Sequence, residues 1–475
     1  YETKRLKDIK VSRQGLLSDD LNDLNLAVGD AMTMSGGQNE YALLGAFYRL
    51  NYSYKGGRYL FETSGRYDGS SRFRSGHRFG FFPSASVGWR ISEESFFGNL
   101  KKNIDNVKLR LSYGSLGNQQ VGYYDYIQTI NTNGTMNYIF GDQKKGSYAS
   151  VSDPNSADLT WETVSTWNVG LDLGFLNNRL NLTADAYVRD TKGMQTSGKK
   201  LPGAYGANEP KQNAANLRTK GWELMLTWND AFKLANKPFR YNLSVGLADN
   251  TSEITKFDNP SKILSDYYVG QKLGDIWGYV VDGLFRTDEE AANYNVDQTA
   301  VNFVINTAQV NPGLHAGDMK FVDLDGDHTI SSGSNTADDP GDRKIIGNSL
   351  PRYTYSIQGG FDWYGFDFSI YLQGVGHQDW YPGTNSVFFW GPYARPYSSF
   401  IPRDFLSQVW SPENPDAYFP RPIGYLALGN NRSLGVVNDR YLQNLQSEEY
   451  HSRLYDSRRM DEEGKDRTPA YLFQW

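Results

Sequence analysis

Several kinds of chemistry are excluded by what the sequence lacks. None of the 475 residues is cysteine, so there is no disulfide framework, no thiolate metal site and no cysteine nucleophile. Only five residues are histidine, and neither a Gly-x-Ser-x-Gly elbow nor a His-Glu-x-x-His motif occurs. The paired acids at 93–94 and 289–290 are adjacent, so they face apart on a strand or are solvated in a loop. We therefore expect a protein that is not an enzyme.

Long apolar runs and excess basic charge are also missing. No stretch of 18 apolar residues occurs and the mean hydropathy is −0.60, which excludes a membrane protein built from helices. The same values do not exclude a membrane β-barrel, because its alternating strands average to a hydrophilic total. The net charge of −6 gives no basic surface for nucleic acid. Residues 1–5 lack the apolar core of a secretory signal, so we expect an N-terminus that is processed or internal to a longer chain.

What the sequence does have is aromatic residues, glycine and a pattern of period two. It contains 33 Tyr, 25 Phe, 11 Trp and 48 Gly. From Leu180 to Val188 every second residue is apolar, and the residues between are mostly polar, as on a strand with two different faces. About ten segments alternate in this way: 43–54, 58–67, 84–91, 107–113, 167–173, 180–188, 222–229, 241–247, 353–363 and 366–372.

Two all-β architectures fit such alternation. A soluble β-sandwich would pack its apolar rows in a dry core, whereas a membrane barrel would turn them towards lipid. Several segments approach the roughly 10 residues that a tilted membrane strand needs, and many begin or end with an aromatic ring suited to a lipid–water interface. These features favour an antiparallel transmembrane β-barrel with a water-filled lumen.

The predicted connections differ greatly in length. Asn177-Asn178 predicts a tight hairpin, and 229–238 predicts a slightly longer turn. Long loops rich in Gly, Asn, Asp and Pro are expected at 118–158, 190–218, 255–350 and 374–440. Short turns on one side and long loops on the other are typical of outer-membrane barrels, in which the long loops face outward.

Several ordered motifs resemble those of the SusC/RagA family of TonB-dependent outer-membrane transporters. The longest are Arg66-Tyr67-Asp68-Gly69-Ser70-Ser71-Arg72-Phe73, the segment 78–92, and Leu109-Arg110-Leu111-Ser112-Tyr113-Gly114-Ser115-Leu116-Gly117-Asn118-Gln119. Further matches are 211–217, 220–224, Gly270-Gln271, 276–279, 282–285, 323–327, 345–348 and Asn438-Asp439-Arg440-Tyr441-Leu442-Gln443-Asn444.

The resemblance implies a barrel of about 22 strands that contains an N-terminal plug. It implies the outer membrane of a Gram-negative, Bacteroidetes-like bacterium and import of oligosaccharides or peptides. A SusD-like surface lipoprotein would act as a lid, and the TonB–ExbB–ExbD complex would supply energy through a segment before the plug. A dimer of transporter–lid pairs is also implied, and no cofactor is required.

Two departures from the family pattern affect the domain organisation. Residues 1–444 are expected to form part of the barrel, without the plug or the TonB-contact segment. About ten strands cannot close a barrel of about 22, and an open edge cannot face lipid, so we expect further strands from another part of the protein. Residues 445–475 are charged and lack a period of two, which predicts a separate tail of uncertain structure.

One acidic motif has the spacing of a cation site. Asp323, Asp325 and Asp327 alternate around Gly326, as in the first half of an EF-hand loop. The Glu expected at position twelve is Ser334, so the shell would be completed by Asp338, Asp339 or Asp342. The motif predicts either a structural Ca²⁺ that stiffens the loop or a plain Gly-Asp turn.

A second candidate site lies in the aromatic segment 377–397. We expect Trp380, Trp390, Tyr393 and Arg395 to contact cargo, since flat rings stack on sugars and arginine binds hydroxyls or carboxylates. The alternative is an aromatic belt with loop packing against the lid.

A charge network of Arg66, Asp68 and Arg72 is expected to fix a strand-to-loop corner rather than contact cargo.

Two other functions compete with import. One is a secreted or surface glycan-binding β-protein without transport activity, and the other is a carbohydrate-active hydrolase. The cargo itself cannot be named from the barrel motifs, because selectivity resides in variable loops.

Overall fold

The computed structural model describes most of residues 1–444. The residues it leaves out of this range are 17, 19, 21–22, 99, 141–143, 157, 199–200, 302–312, 384–388, 390–402 and 422–435. The tail predicted at 445–475 lies outside the described residues, so the boundary after residue 444 stays a prediction.

The described residues are organised mainly in strands. They are β1 (Glu2–Arg13), β2 (Met32–Tyr54), β3 (Tyr59–Ser70), β4 (Phe79–Arg90), β5 (Ile104–Asn118), β6 (Ile130–Phe140), β7 (Lys144–Val151), β8 (Glu162–Phe175), β9 (Leu180–Ser197), β10 (Lys211–Leu234), β11 (Lys237–Lys256), β12 (Asp275–Tyr279), β13 (Val281–Leu284), β14 (Met319–Phe321), β15 (Arg343–Asn348), β16 (Arg352–Trp363), β17 (Phe366–His377), β18 (Asp379–Trp380) and β19 (Gln443–Asn444).

Helices in the described residues are short. They are α1 (Asp288–Ala292), α2 (Phe405–Gln408) and 3₁₀ turns at Ile91–Glu93, Ser95–Phe97, Leu100–Lys102, Gly203–Tyr205 and Asp439–Tyr441. None of the described helices combines the length and the apolar character that crossing a membrane requires.

Eleven of the described strands form one sheet, in the order β1-β2-β3-β4-β5-β8-β9-β10-β11-β16-β17. Strands that follow each other in the chain are mostly neighbours in this sheet, and hairpins β2–β3 and β16–β17 pair antiparallel along their whole shared length. The structure thus confirms the prediction of an all-β, antiparallel fold.

The chain divides into two compact units. Unit 1 contains 1–98, 108–170 and 187–218, and unit 2 contains the described residues of 99–107, 171–186 and 219–475. Each unit is described separately below.

Strands β2 to β5 of unit 1 have one apolar face. The register places Tyr52 opposite Phe61, Phe61 opposite Val87, and Val87 opposite Leu111. These four side chains are 58%, 40%, 48% and 42% exposed. A sandwich would bury such a row in a dry core, so the exposure favours a face that meets lipid. We call this row and its neighbours at alternate positions the apolar face.

The opposite side of the same strands carries charge and small polar groups. Arg49 lies opposite Ser64, and its Nε is 3.0 Å from Oε1 of Glu62. The hydroxyls of Ser64 and Ser84 are 2.7 Å apart on neighbouring strands. Because side chains alternate along a strand, these residues share one side, which we call the polar face.

A small aromatic core closes one end of the polar face in unit 1. The Trp161 ring centroid lies 5.4 Å from that of Phe73 and 5.3 Å from that of Phe82. Its indole Nε1–H donates to the Arg78 carbonyl at 2.9 Å. Glycine is required at position 117, since a Cβ there would lie 2.1 Å from Cζ of Phe82. The cluster anchors the loop 71–78 over the strands.

Strands of unit 1 extend well past the segment that alternates. β2 pairs with β3 through residues 43–54. Its preceding residues 32–43 pair with β1 and lie at the end of the strand where the long loops are. The alternation did not predict β1, because both of its faces are mostly polar or charged, as expected for pairing outside a bilayer. The loop predicted at 190–218 is also mostly strand, since β9 continues to Ser197 and β10 begins at Lys211.

Unit 2 repeats the two-faced pattern. Phe361 of β16 stacks on Phe239 of β11 and Phe368 of β17, at centroid distances of 5.3 and 5.4 Å. The tight hairpin predicted at Asn177-Asn178 is present, and both residues have positive φ, at 60° and 56°. The predicted turn 229–238 is shorter than expected, because strand pairing continues to Leu234 and resumes at Lys237.

The long connections of unit 2 form a compact loop module, made of the described residues of 257–351 and 378–444. Its core includes Phe321, Ile330 and Tyr441, each fully buried. Asp318 forms a two-point ion pair with Arg421, with Nε–Oδ1 at 2.6 Å and Nη2–Oδ2 at 3.1 Å. The predicted loops 255–350 and 374–440 therefore contain structure of their own.

We predict that Phe73→Ala lowers the thermal stability of the folded barrel. The ring is fully buried, and truncating a buried Phe costs about 3–5 kcal/mol. The measurement is the temperature at which the protein in detergent loses its heat-modifiable gel mobility. Phe81→Ala is the control, because that ring is 54% exposed on the apolar face. Equal losses in both variants would contradict the role given to the aromatic core.

Candidate functional site

A groove of about 1100 Å³ opens on the polar face of unit 1. It is lined mainly by residues of β2 to β5, many of which the strand pleat turns to the same side. The start of β1, the segment after β5, Trp161 and β8 complete the lining. On the wall of the groove, Arg66 forms a two-point ion pair with Asp68, with Nε–Oδ2 at 3.0 Å and Nη2–Oδ1 at 3.1 Å. We call this the polar-face groove, and it is the candidate binding site of this unit.

Two side chains of the polar-face groove are suited to contact a ligand. Phe47 lies opposite Arg66 and is 78% exposed, although it is an aromatic residue on a polar face. The Oε1 atom of Gln119 is buried and accepts no hydrogen bond from the described residues. The exposed ring suits a flat or apolar part of a ligand, and the unmet acceptor, elsewhere in the lining of the groove, is a polar group that a donor would satisfy.

Phe47 and Gln119 are not among the site residues predicted from the sequence. The sequence does contain a feature that points to Phe47, because an aromatic residue there interrupts the small and polar residues Gly45, Arg49 and Asn51 on the same face of β2. Gln119 follows a strand end and carries no such pattern.

Of the charge network expected at Arg66, Asp68 and Arg72, the structure brings together only the first two. Arg72 instead lies between two tyrosine rings, 4.4 Å from the centroid of Tyr41 and 4.7 Å from that of Tyr123. Its Nη1 donates to the Val121 carbonyl at 3.1 Å. Through these contacts Arg72 holds the segment after β5 against β2.

Only one of the four aromatic-segment candidates can be placed. Trp390, Tyr393 and Arg395 lie outside the described residues. Trp380 is 38% exposed and belongs to β18, which pairs with β19. The neighbouring Asp379 accepts the Asn348 N–H at 2.8 Å and lies 3.0 Å from Nε2 of His377. A role for these residues in binding cargo stays a prediction.

The acidic motif of the loop module brings three carboxylates together. Oxygen atoms of Asp323, Asp325 and Asp327 all lie within 4.8 Å of one another. The turn is closed by backbone N–H groups of Gly326 and His328, which donate to Asp323 at 2.6 and 2.9 Å. Such a set of converging carboxylate oxygens fits a hard divalent cation.

The three acids proposed to complete the shell differ in their surroundings. Asp342 is fully buried beneath the loop and accepts N–H groups of Leu324 and Ser331, both at 2.7 Å. Asp338 pairs with Lys262, and Asp339 accepts from Ser334. Asp342 is therefore the acid that supports the loop from below.

Electrostatics at the acidic loop also fit a cation. The Asp327 N–H favours the charged form of Asp325, but desolvation and the negative charges of Asp342, Asp327 and Asp323 outweigh it and raise the pKa of Asp325. For Asp323, desolvation acts to raise the pKa, but hydrogen bonds from Gly326 and His328 outweigh it and hold the pKa below the ordinary value. A bound cation would relieve the mutual repulsion.

Comparison with known proteins gives a family and several relatives. Residues 10–400 match the family described as TonB dependent receptor-like, beta-barrel. The chain is 31% identical over 371 residues to TonB-dependent receptor P39 of Formosa agariphila, covering 73% of this chain and 33% of that protein. It is 34% identical over 343 residues to TonB-dependent receptor SusC of Bacteroides thetaiotaomicron, covering 70% of this chain and 31% of that protein.

Solved structures agree on the fold. The RagAB peptide transporter matches with a TM-score of 0.64 and 21% identity, over 93% of this chain and 44% of that one. The RagAB peptide importer in its "open-open" state matches with a TM-score of 0.66 and 20% identity, over 93% and 43%. These matches show the barrel fold that the alternation predicted. The chain spans about a third of the length of the curated relatives described above.

Calcium binding by the acidic loop stays a prediction. We expect Ca²⁺ to bind the purified protein in calorimetry, and Asp325→Asn to weaken binding about tenfold by removing one charged ligand. Because its pKa is raised, Asp325 takes up a proton as the pH falls, so affinity should fall on acidification. Asp338→Asn is the control and should bind normally. Absence of binding heat in the unaltered protein would remove the site.

Proposed function

Because the chain belongs to the TonB-dependent receptor-like β-barrel family, we propose that the protein of which it is part imports nutrients across the outer membrane. The location is the outer membrane, as for the SusC and RagA proteins that it resembles. The proposed activity is uptake of oligosaccharides or peptides, energised through TonB.

The observation that carries this proposal is the polar-face groove. It lies on the side of β2 to β5 that is turned away from the apolar face, as a lumen must be. Its wall combines the Arg66–Asp68 pair, the exposed Phe47 ring and the unmet acceptor of Gln119. Charged, aromatic and amide groups together suit polar cargo such as a sugar chain or a peptide.

The description of one relative supports a peptide as cargo. SusC is described as a TonB-dependent receptor, and RagAB as a peptide transporter or importer. We propose an oligosaccharide or a peptide for this protein, and the described groups of the groove serve either one.

We also propose the partners of this importer. A SusD-like surface lipoprotein would cover the long-loop side, where the loop module presents a folded surface rather than loose chain. TonB would act through a segment that precedes the plug, and transporter–lid pairs would form a dimer. The protein would have no catalytic activity of its own, since the matched relatives are receptors and transporters.

We predict that Phe47→Ala reduces cargo uptake by whole cells. Removing an exposed ring that stacks on cargo costs about 1–2 kcal/mol, or about a tenfold rise in the concentration for half-maximal uptake. Leu50→Ala is the matched control, because Leu50 lies three residues along the same strand, on the apolar face, and is 57% exposed. Equal uptake by both variants would argue against binding in the groove.

Energy coupling separates an importer from a surface binding protein. Depletion of TonB should abolish uptake by cells that carry the unaltered protein, while binding of labelled cargo to the cell surface persists. Uptake that continues without TonB would contradict the proposed mechanism.

A further inference from the structure

A second groove, of about 630 Å³, opens on the apolar face of unit 1. It lies at the end of the strands where β2 turns into β3. Its floor is formed by Phe61, Val87, Leu109 and Leu111 from three neighbouring strands. The volume is within the range of about 300–1,000 Å³ that small-molecule sites occupy. This hollow therefore differs from the flat hydrocarbon surface that a strand normally presents.

Aromatic rings form the rim of the groove. Tyr54 stacks between Tyr52 and Tyr59, at centroid distances of 6.4 and 6.3 Å. Trp89 of β4 lies opposite Tyr59 of β3. The Trp89 indole N–H donates to Oε1 of Glu94 at 3.1 Å, and the Tyr59 hydroxyl donates to the same oxygen at 2.5 Å. Rings with their polar ends turned to one carboxylate mark the level of the lipid–water interface.

The rim also carries a surplus of positive charge. Hydrogen bonds from Tyr59 and Trp89 hold the pKa of Glu94 below its ordinary value, so this acid is ionised. It pairs with Nη1 of Arg58 at 3.2 Å. The neighbouring Glu93 pairs with Arg90 at 3.8 Å. The ammonium of Lys55 lies 5.5 Å from the Tyr54 centroid and adds a further cation to these two pairs.

The pair with Glu94 does not use every donor of the Arg58 guanidinium. Its Nε atom is buried and donates no hydrogen bond within the part of the chain that the structure describes. A buried donor without a partner is costly, and a ligand oxygen would satisfy it. The unmet donor and the extra positive charge lie at one end of an apolar groove, which suits a lipid with a phosphate in its head group and a hydrocarbon tail.

We propose that this groove binds one glycerophospholipid molecule, with an acyl chain between the rings and its phosphate on Arg58 and Lys55. The short turns of an outer-membrane barrel face the periplasm, so the lipid comes from the periplasmic leaflet. This inference depends on the membrane location of the family, but not on import or on the identity of the cargo.

The test is lipid retention by the complete protein. Protein purified in detergent is washed, incubated with phosphatidylethanolamine and examined by native mass spectrometry. We expect one tightly held phospholipid per barrel. Val87→Trp fills the groove and should remove this species, whereas Val245→Trp, the same change on an exposed part of β11 in unit 2, should leave it. Retention in Val87→Trp, or equal loss in Val245→Trp, would overturn the proposal.

The phosphate contact has its own variant. Lys55→Gln should weaken phosphatidylethanolamine binding about fivefold, since one basic residue near a lipid phosphate contributes an effect of that order. Unchanged affinity would show that Lys55 does not bind the phosphate. Preferential retention of added lipid A over phosphatidylethanolamine would contradict the assignment to the periplasmic leaflet.

A measurement on the unaltered protein removes any dependence on how variants fold. Phosphatidylethanolamine with a photoactivatable acyl chain is added to the protein and the sample is irradiated. The labelled peptides are then located by mass spectrometry. Labelling should concentrate at 52–61, 87–89 and 109–111. Even labelling that extends to β16 and β17 would indicate ordinary surrounding lipid and overturn the proposal. Uptake is not read in either experiment, so failure of the lipid site and failure of import are distinguishable.

Discussion

The constraint on which this structure depends is that a backbone in hydrocarbon must satisfy its hydrogen bonds within the protein. Long antiparallel pairing, as between β2 and β3 or β16 and β17, meets this requirement without water. Once the backbone is paired, successive side chains point to opposite sides and every strand has two surfaces. The apolar face with Tyr52 and Phe61, and the polar face with Arg49 and Glu62, are both consequences of that one requirement.

Beyond the bilayer the constraint ends, and the chain is stabilised in two other ways. In unit 1, loops are held to strands by local clusters, such as Trp161 between Phe73 and Phe82, or Arg72 between Tyr41 and Tyr123. In unit 2, the loop module has a hydrophobic core of its own around Phe321 and Tyr441, as a small soluble domain would. Both arrangements place functional groups on ordered chain rather than on loose loops.

The sequence predicted those features that are encoded locally. Alternation located the membrane segments of the sheet, Asn177-Asn178 located a turn that requires positive φ, and the spacing of Asp323 to Asp327 predicted converging carboxylates. Features that depend on distant partners were missed. β1 has polar residues on both faces and is a strand only because β2 pairs with it. Three-residue β14 and two-residue β18 are too short to leave a periodic signal.

The paired extension formed by β1 and residues 32–43 of β2 has a consequence for how such proteins diversify. Its geometry is set by the backbone ladder alone, and neither surface is obliged to match hydrocarbon. Substitutions there would leave intact the match to hydrocarbon on which the rest of the sheet depends. Side chains that recognise different ligands can therefore be exchanged on this extension while its backbone pairing stays the same.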